Sequence, residues 1–150
     1  MKHEPWVRDL SVGSYNCSSS YIKASAAFVA FNINPTGSQL GVVALDSDGT
    51  SHSILNAHSD LVTDFDFSPF EDGLLATGSA DSTVKVWCIN GDQLGDLSTL
   101  SPEVVTSSKH RRVENVAFHP TAEYLLSYSS QNSINLWDVL YNKELLHGKT

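Results

Sequence analysis

The chain is poor in the residues that most enzyme and metal chemistry needs. It has two cysteines, Cys17 and Cys88, far apart and in no C-x-x-C arrangement. That spacing excludes a thiolate cluster for zinc and a dithiol redox centre, and both read as free thiols of a reducing compartment. Cys88 directly follows Trp87, where a small packed side chain is expected. Basic residues are scarce: 9 Lys and Arg stand against 17 Asp and Glu, for a net charge of −8. This balance argues against nucleic acid as a partner and against a grip on anionic membrane, since both need clustered cations. The one dense basic cluster is Lys109-His110-Arg111-Arg112. No apolar run approaches the roughly 20 residues of a membrane-spanning helix, so no membrane insertion is expected. The start, Met1-Lys2-His3-Glu4-Pro5, is polar, and no signal-peptide apolar region follows it. A soluble, intracellular protein is expected. No phosphate-cradling glycine loop, H-E-x-x-H or G-x-S-x-G occurs. His3, His52, His119 and His147 share no ligand spacing, and His119 before Pro120 reads as a turn residue. No catalytic residue, cofactor or metal is therefore expected, and no heptads suggest a coiled coil.

What the chain does have is short strands and strong turns. Hydrophobic residues make up 41% and charged residues 17%, the balance of a globular chain long enough to bury a core. The stretch from Ala57 to Trp87 organises the rest. Val62, Phe65 and Phe67 lie among Thr63, Asp64 and Asp66, close to the period of a half-buried strand. Ser68-Pro69-Phe70-Glu71-Asp72-Gly73 is a turn, because Pro fixes φ and Gly tolerates unusual backbone. Leu74-Leu75-Ala76 is a short apolar run, and Asp81-Ser82 turns the chain into the alternating Val84-Lys85-Val86-Trp87. Short strands of this kind cannot bury both faces alone, so similar sheets must stack beside them.

This pattern resembles one WD40 repeat, a four-stranded propeller blade of about 40–45 residues. In that family a His, a hydroxyl in the second strand, a turn Asp and a Trp form a buried hydrogen-bond relay. The resemblance assigns these roles to His58, Thr77, Asp81 and Trp87. A Ser/Thr–His–Asp catalytic triad is the competing reading, and the blade spacing weighs against it. The pair Asp64 and Asp66 shares one side of a strand, which suggests either paired catalytic carboxylates or exposed and turn-network positions; the second is favoured.

The rest of the chain follows the same plan. Residues 1–19 give an N-terminal strand, Trp6 to Val12, and a polar connector. Residues 21–57 read as a first blade with strands Tyr21–Ser25, Ala26–Ile33, Gln39–Leu45 and Thr50–Leu55. It has no relay Trp or Asp and must be held by packing. Residues 58–109 form the second blade, its fourth strand placed near Gln93–Leu100 and followed by a Ser/Thr-containing loop, Ser98 to Lys109. Residues 110–150 form a third blade, in which Tyr124-Leu125-Leu126-Ser127 parallels Leu74 to Thr77. Its relay would be His110, Ser127 and Trp137, with Gln131 where Asp81 stood. Lys143 to His147 begins its fourth strand. The expected fold class is all-β: a partial WD40 β-propeller, about three four-stranded blades of a seven-bladed ring, and so an N-terminal piece of a larger protein.

Five segments carry a narrower resemblance. Trp6-x-x-Asp9-Leu10 precedes a Trp-poor first blade. His58 to Asp64, Phe67-Ser68-Pro69-Phe70 and Ala76 to Trp87 follow, and Arg112 to Ala122 continues the match. Together they resemble the coronins, and most of all the long coronins with two propellers in tandem. That resemblance implies a non-catalytic interaction scaffold that binds actin filaments and serves cytoskeleton organisation or Golgi and vesicle traffic. It implies a cytoplasmic, cytoskeleton-associated location, or the Golgi or vesicle periphery. Candidate partner-binding residues on the rim are Arg8, Lys23, Lys109, Arg111 and Arg112, with His110 beside them. The alternative is a generic WD40 adaptor that presents a peptide-binding surface to a multiprotein complex.

Overall fold

A computed structural model describes residues 22–33, 37–46, 52–91, 96–109 and 111–149. Among these residues twelve strands fall into three four-stranded antiparallel sheets, each built in chain order. The first sheet holds β1 (Ile22–Ala24), β2 (Phe28–Ile33), β3 (Gln39–Ala44) and β4 (Ser53–Leu55). The second holds β5 (Val62–Phe67), β6 (Leu74–Ser79), β7 (Thr83–Cys88) and β8 (Val104–Ser107). The third holds β9 (Asn115–Phe118), β10 (Leu125–Ser130), β11 (Ser133–Asp138) and β12 (Lys143–Lys149). This is the all-β, blade-by-blade architecture expected of a WD40 propeller. No helix among the described residues is long and apolar enough to cross a membrane.

Local chemistry sets the strand ends. Ser25 Oγ accepts from the backbone N–H groups of Ala27 and Phe28, at 3.2 and 3.0 Å, and this turn delays β2 until Phe28. Ser68 Oγ does the same for Phe70 and Glu71 between β5 and β6. Gly73 is required there by space: an added Cβ would sit 2.0 Å from the Ile89 carbonyl oxygen. His119 Nδ1 accepts from the N–H groups of Thr121 and Ala122, so this histidine closes the β9–β10 turn.

The sheets stack through two apolar layers. Phe28, Leu40, Val42 and Leu55 meet Phe65, Leu75 and Trp87 between the first and second sheets. Ala76, Val84 and Val86 meet Val113, Val116, Leu126 and Trp137 between the second and third. β2 and β3 are buried along almost their whole length, which explains why the Trp-poor first sheet reads as unbroken apolar runs. Gly78 lets the second and third sheets approach, since a Cβ there would lie 2.6 Å from Val113 Cγ1 and 2.9 Å from Val116 Cγ1.

Two sequence expectations are corrected. The fourth strand of the second sheet is Val104–Ser107, inside the stretch read as a loop, and residues 96–100 form no strand. Leu97 instead drops into the core from a turn in which Ser98 N–H donates to Asp96 Oδ1 at 3.0 Å. Cys88 is an exposed free thiol rather than a packed one. The expected N-terminal strand Trp6 to Val12, Arg8 and His110 lie outside the described residues.

Candidate functional site

The second sheet holds a continuous polar chain in its interior. Trp87 Nε1–H donates to Thr77 Oγ1 at 3.0 Å. Thr77 Oγ1 lies 2.7 Å from His58 Nε2, and His58 Nδ1 lies 2.9 Å from Asp81 Oδ2. The indole can only donate and the carboxylate can only accept, so the protons run one way. Thr77 O–H therefore donates to His58 Nε2, and His58 Nδ1–H donates to Asp81. Asp81 also accepts from Thr83 O–H at 2.6 Å, Thr83 N–H at 2.9 Å and Ser59 N–H at 3.2 Å.

The ionisation states follow from burial and these bonds. Burial pushes the His58 imidazole below its ordinary pKa, against the pull of Asp81, and keeps it neutral. Burial alone would raise the Asp81 carboxyl. Its hydrogen bonds from His58 and Thr83 more than offset that and hold it well below the usual carboxylate range. Lys85 Nζ donates to the Ala57 carbonyl at 3.0 Å and lies 5.8 Å from the centre of the Trp87 ring, capping the edge of the same cluster.

Thr77, His58 and Asp81 have the connectivity of a nucleophile, base and orienting acid. Access separates them from one: the side chain of His58 and the whole of Thr77 are 0% exposed. No substrate atom reaches Thr77 Oγ1, whose oxygen already takes the indole proton.

Among the described residues the third sheet does not repeat the chain of bonds. Ser127 Oγ donates to the Ala117 carbonyl at 3.2 Å, and Gln131 Oε1 accepts from Arg111 Nη1 at 2.8 Å. Trp137 Nε1–H donates to Asn142 Oδ1 at 3.0 Å. The expected set of Ser127, Gln131 and Trp137 is thus corrected, and register is the reason. Trp87 sits opposite Leu75, and Trp137 sits opposite Leu126. The residue two beyond Leu75 is Thr77, but the residue two beyond Leu126 is Tyr128. Ser127 therefore lies on the other face, as a one-residue slip requires. Tyr128 fills the place of Thr77, and its hydroxyl turns to Thr106 of β8.

Sequence reasoning underrated the carboxylates of β5. Asp64 Oδ2 accepts from Val116 N–H at 3.0 Å and Asp66 Oδ2 from Phe118 N–H at 2.9 Å. The two acids cap the open edge of β9, so they join the second sheet to the third rather than facing solvent. A bulge after Val62 aims Thr63 the same way, and its hydroxyl lies 2.5 Å from the Val113 carbonyl and 3.1 Å from that of Gly78. Burial raises the Asp66 carboxyl, while the Phe118 N–H and the charge of Lys23 act against it. The signal was available: two acids at i and i+2 amid Val62, Phe65 and Phe67 on one strand. Tyr124 adds a further link, its hydroxyl 2.5 Å from Glu71 Oε1 and its pKa pushed up to about 12 by that bond.

The remaining candidates lie at the surface. Lys23 is half-buried on β1. Lys109, with φ of 57°, Arg111 and Arg112 are exposed on the loop from β8 to β9. Among the described residues no group of three His, Cys, Asp or Glu could hold a metal ion.

Comparison with known proteins agrees with this architecture. A family described as "WD domain, G-beta repeat" matches residues 49–88 and 101–138. A second, described as "Domain of unknown function (DUF1899)", matches residues 1–50. The chain is 39% identical to human Coronin-7 over 96% of its own length and 16% of that protein's. It is 28% identical to a coronin-like protein of Saccharomyces cerevisiae, over 97% of this chain and 24% of that one. The chain thus spans less than a quarter of the length of these relatives. The solved WD40 domain of Toxoplasma gondii coronin superposes with a TM-score of 0.86 at 21% identity, covering 95% of this chain and 37% of that one. The chain belongs to the WD40-repeat proteins and, through these relatives, to the coronin family.

Proposed function

We propose that this coronin-like interaction scaffold binds actin filaments and links them to cytoskeletal organisation or to Golgi and vesicle traffic, in the cytoplasm and on the cytoskeleton. The observation that carries the reading is the similarity to coronins along nearly the whole chain. The described surface supports it. The apolar and hydroxyl groups of the second sheet are spent on packing and on the Trp87 relay, which leaves the outer loops for partners. Lys109, Arg111 and Arg112 supply a positive edge on a chain of net charge −8. Such an edge gives register and on-rate to a complex with an acidic partner, and its effect falls with salt.

Co-sedimentation of the full chain with actin filaments tests this. Wild-type protein is expected to pellet with filaments, and Arg111→Glu with Arg112→Glu to reduce the bound fraction at least fivefold. Wild-type protein that stays in the supernatant at low salt would defeat the proposal.

A further inference from the structure

We infer that the cleft between β8 and the turn of the third sheet is a binding site for a phosphate monoester carried on a protein side chain, phosphoserine or phosphothreonine. The cleft is lined by Ser108, Lys109, Arg111, Ser133, His147 and Lys149, with Asn132 at its lip. Three of the chain's 9 Lys and Arg thus line one opening, and among the described residues no Asp or Glu lines it. In a chain of net charge −8 that concentration is local and unbalanced. Among the described residues no carboxylate lies within ion-pair distance of Lys109, Arg111 or Lys149. Glu144 lies in the adjoining hollow, its Oε1 3.7 Å from His147 Nδ1.

Hydrogen bonds from Ser108 brace one wall of the cleft. Ser108 N–H donates to the Ser82 carbonyl at 2.9 Å, and Ser108 Oγ bonds the carbonyls of Ser82 and Arg111. Lys109 takes the left-handed conformation, and Lys109 and Arg111 both line the cleft. Gln131 Oε1 steadies the guanidinium at 2.8 Å, a neutral contact that leaves its charge uncompensated. One planar guanidinium and two ammonium side chains lining the same cleft suit a dianion with several acceptor oxygens.

Charge also selects the carrier. A membrane or a nucleic acid presents many phosphates to the whole acidic surface and is repelled by it. A peptide brings one dianion to one cleft. This inference stands without the actin reading, and its test contains no actin.

The experiment is an NMR titration of the full chain, following the Arg111 and Lys149 side-chain signals and the Ser108 and Ser133 amides. The probes are N-acetyl-phosphoserine N-methylamide, its unphosphorylated twin, inorganic phosphate, and vesicles containing phosphatidylinositol phosphate. The phosphorylated probe is expected to saturate these signals, with the twin at least tenfold weaker. Arg111→Glu and Lys149→Glu are each expected to weaken it at least tenfold. Lys143→Glu, on β12 but outside the cleft, is expected to stay within twofold, and circular dichroism checks that each variant is folded. Equal shifts from both twins, unaltered binding by folded Arg111→Glu and Lys149→Glu, an adventitious ion only (inorganic phosphate shifting the signals where the phosphoserine probe does not), or binding to vesicles alone would each overturn the inference.

Discussion

The second and third sheets share a strand order, a tryptophan on the third strand and an apolar layer between them, yet they secure that tryptophan differently. Trp87 ends a chain of four side chains that reaches from one strand to the turn carboxylate of Asp81. Among the described residues the Trp137 indole N–H donates to Asn142, five residues on. The turn between the second and third strands explains much of this. Five residues separate the paired positions Gly78 and Val84, but only four separate Ser129 and Ile134. The shorter turn has no counterpart of Asp81, and the strand carries Tyr128 where a hydroxyl of the right length would have to stand. Two sheets of similar outline therefore differ in polar interior, because a buried polar network works only when every member is present.

The largest expected effect separates the sheets directly. Thr77→Val removes the hydroxyl and strands both the indole N–H and His58 Nε2 in a fully buried site. It should cost about 2–4 kcal/mol in urea-induced unfolding. Ser127→Ala, at the position that looks equivalent in the sequence, should cost less than about 0.5 kcal/mol, since its one bond lies at the partly exposed face of the third sheet. Equal losses would erase the distinction.

A smaller effect is the response to acid, to which His58 and Asp81 of the second sheet contribute. His58 has a depressed pKa when folded, so the unfolded chain binds more protons below its ordinary value, about 6.5. Stability is therefore complete above that pH and declines as pH falls. Asp81 adds a second decline below about pH 4, because its carboxylate is favoured only in the folded state. Both shifts have the same sign. Urea midpoints at pH 7.5, 5.5 and 4.0 should fall in that order. In Thr77→Val the step between pH 7.5 and 5.5 should shrink, since His58 loses its acceptor role. A midpoint that rises toward pH 5.5 would contradict the assignment of a neutral His58.

The same contrast shows what the sequence made legible. The second sheet was readable because its apolar positions alternate and its turns carry Ser-Pro, Gly and Asp at places that demand them. The third misled by one residue, since Leu125 and Leu126 are interchangeable in pattern and only pairing with Trp137 decides which faces inward. β8 escaped notice because Val104–Ser107 is an edge strand whose residues alternate between partial and full exposure, with no buried apolar run to mark it. Leu97 drew the expected strand toward itself, although it is buried from a turn. The caps made by Asp64 and Asp66 depend on where β9 lies, which is a fact of stacking and not of either segment alone.

The most direct test of this account is hydrogen exchange at the tryptophan indoles, followed by NMR on the full chain. The Trp87 Nε1–H should exchange at least tenfold more slowly than that of Trp137, and Thr77→Val should abolish the difference without speeding Trp137. Equal protection of the two indoles in the wild-type protein, or a Trp87 rate unchanged by Thr77→Val, would contradict it.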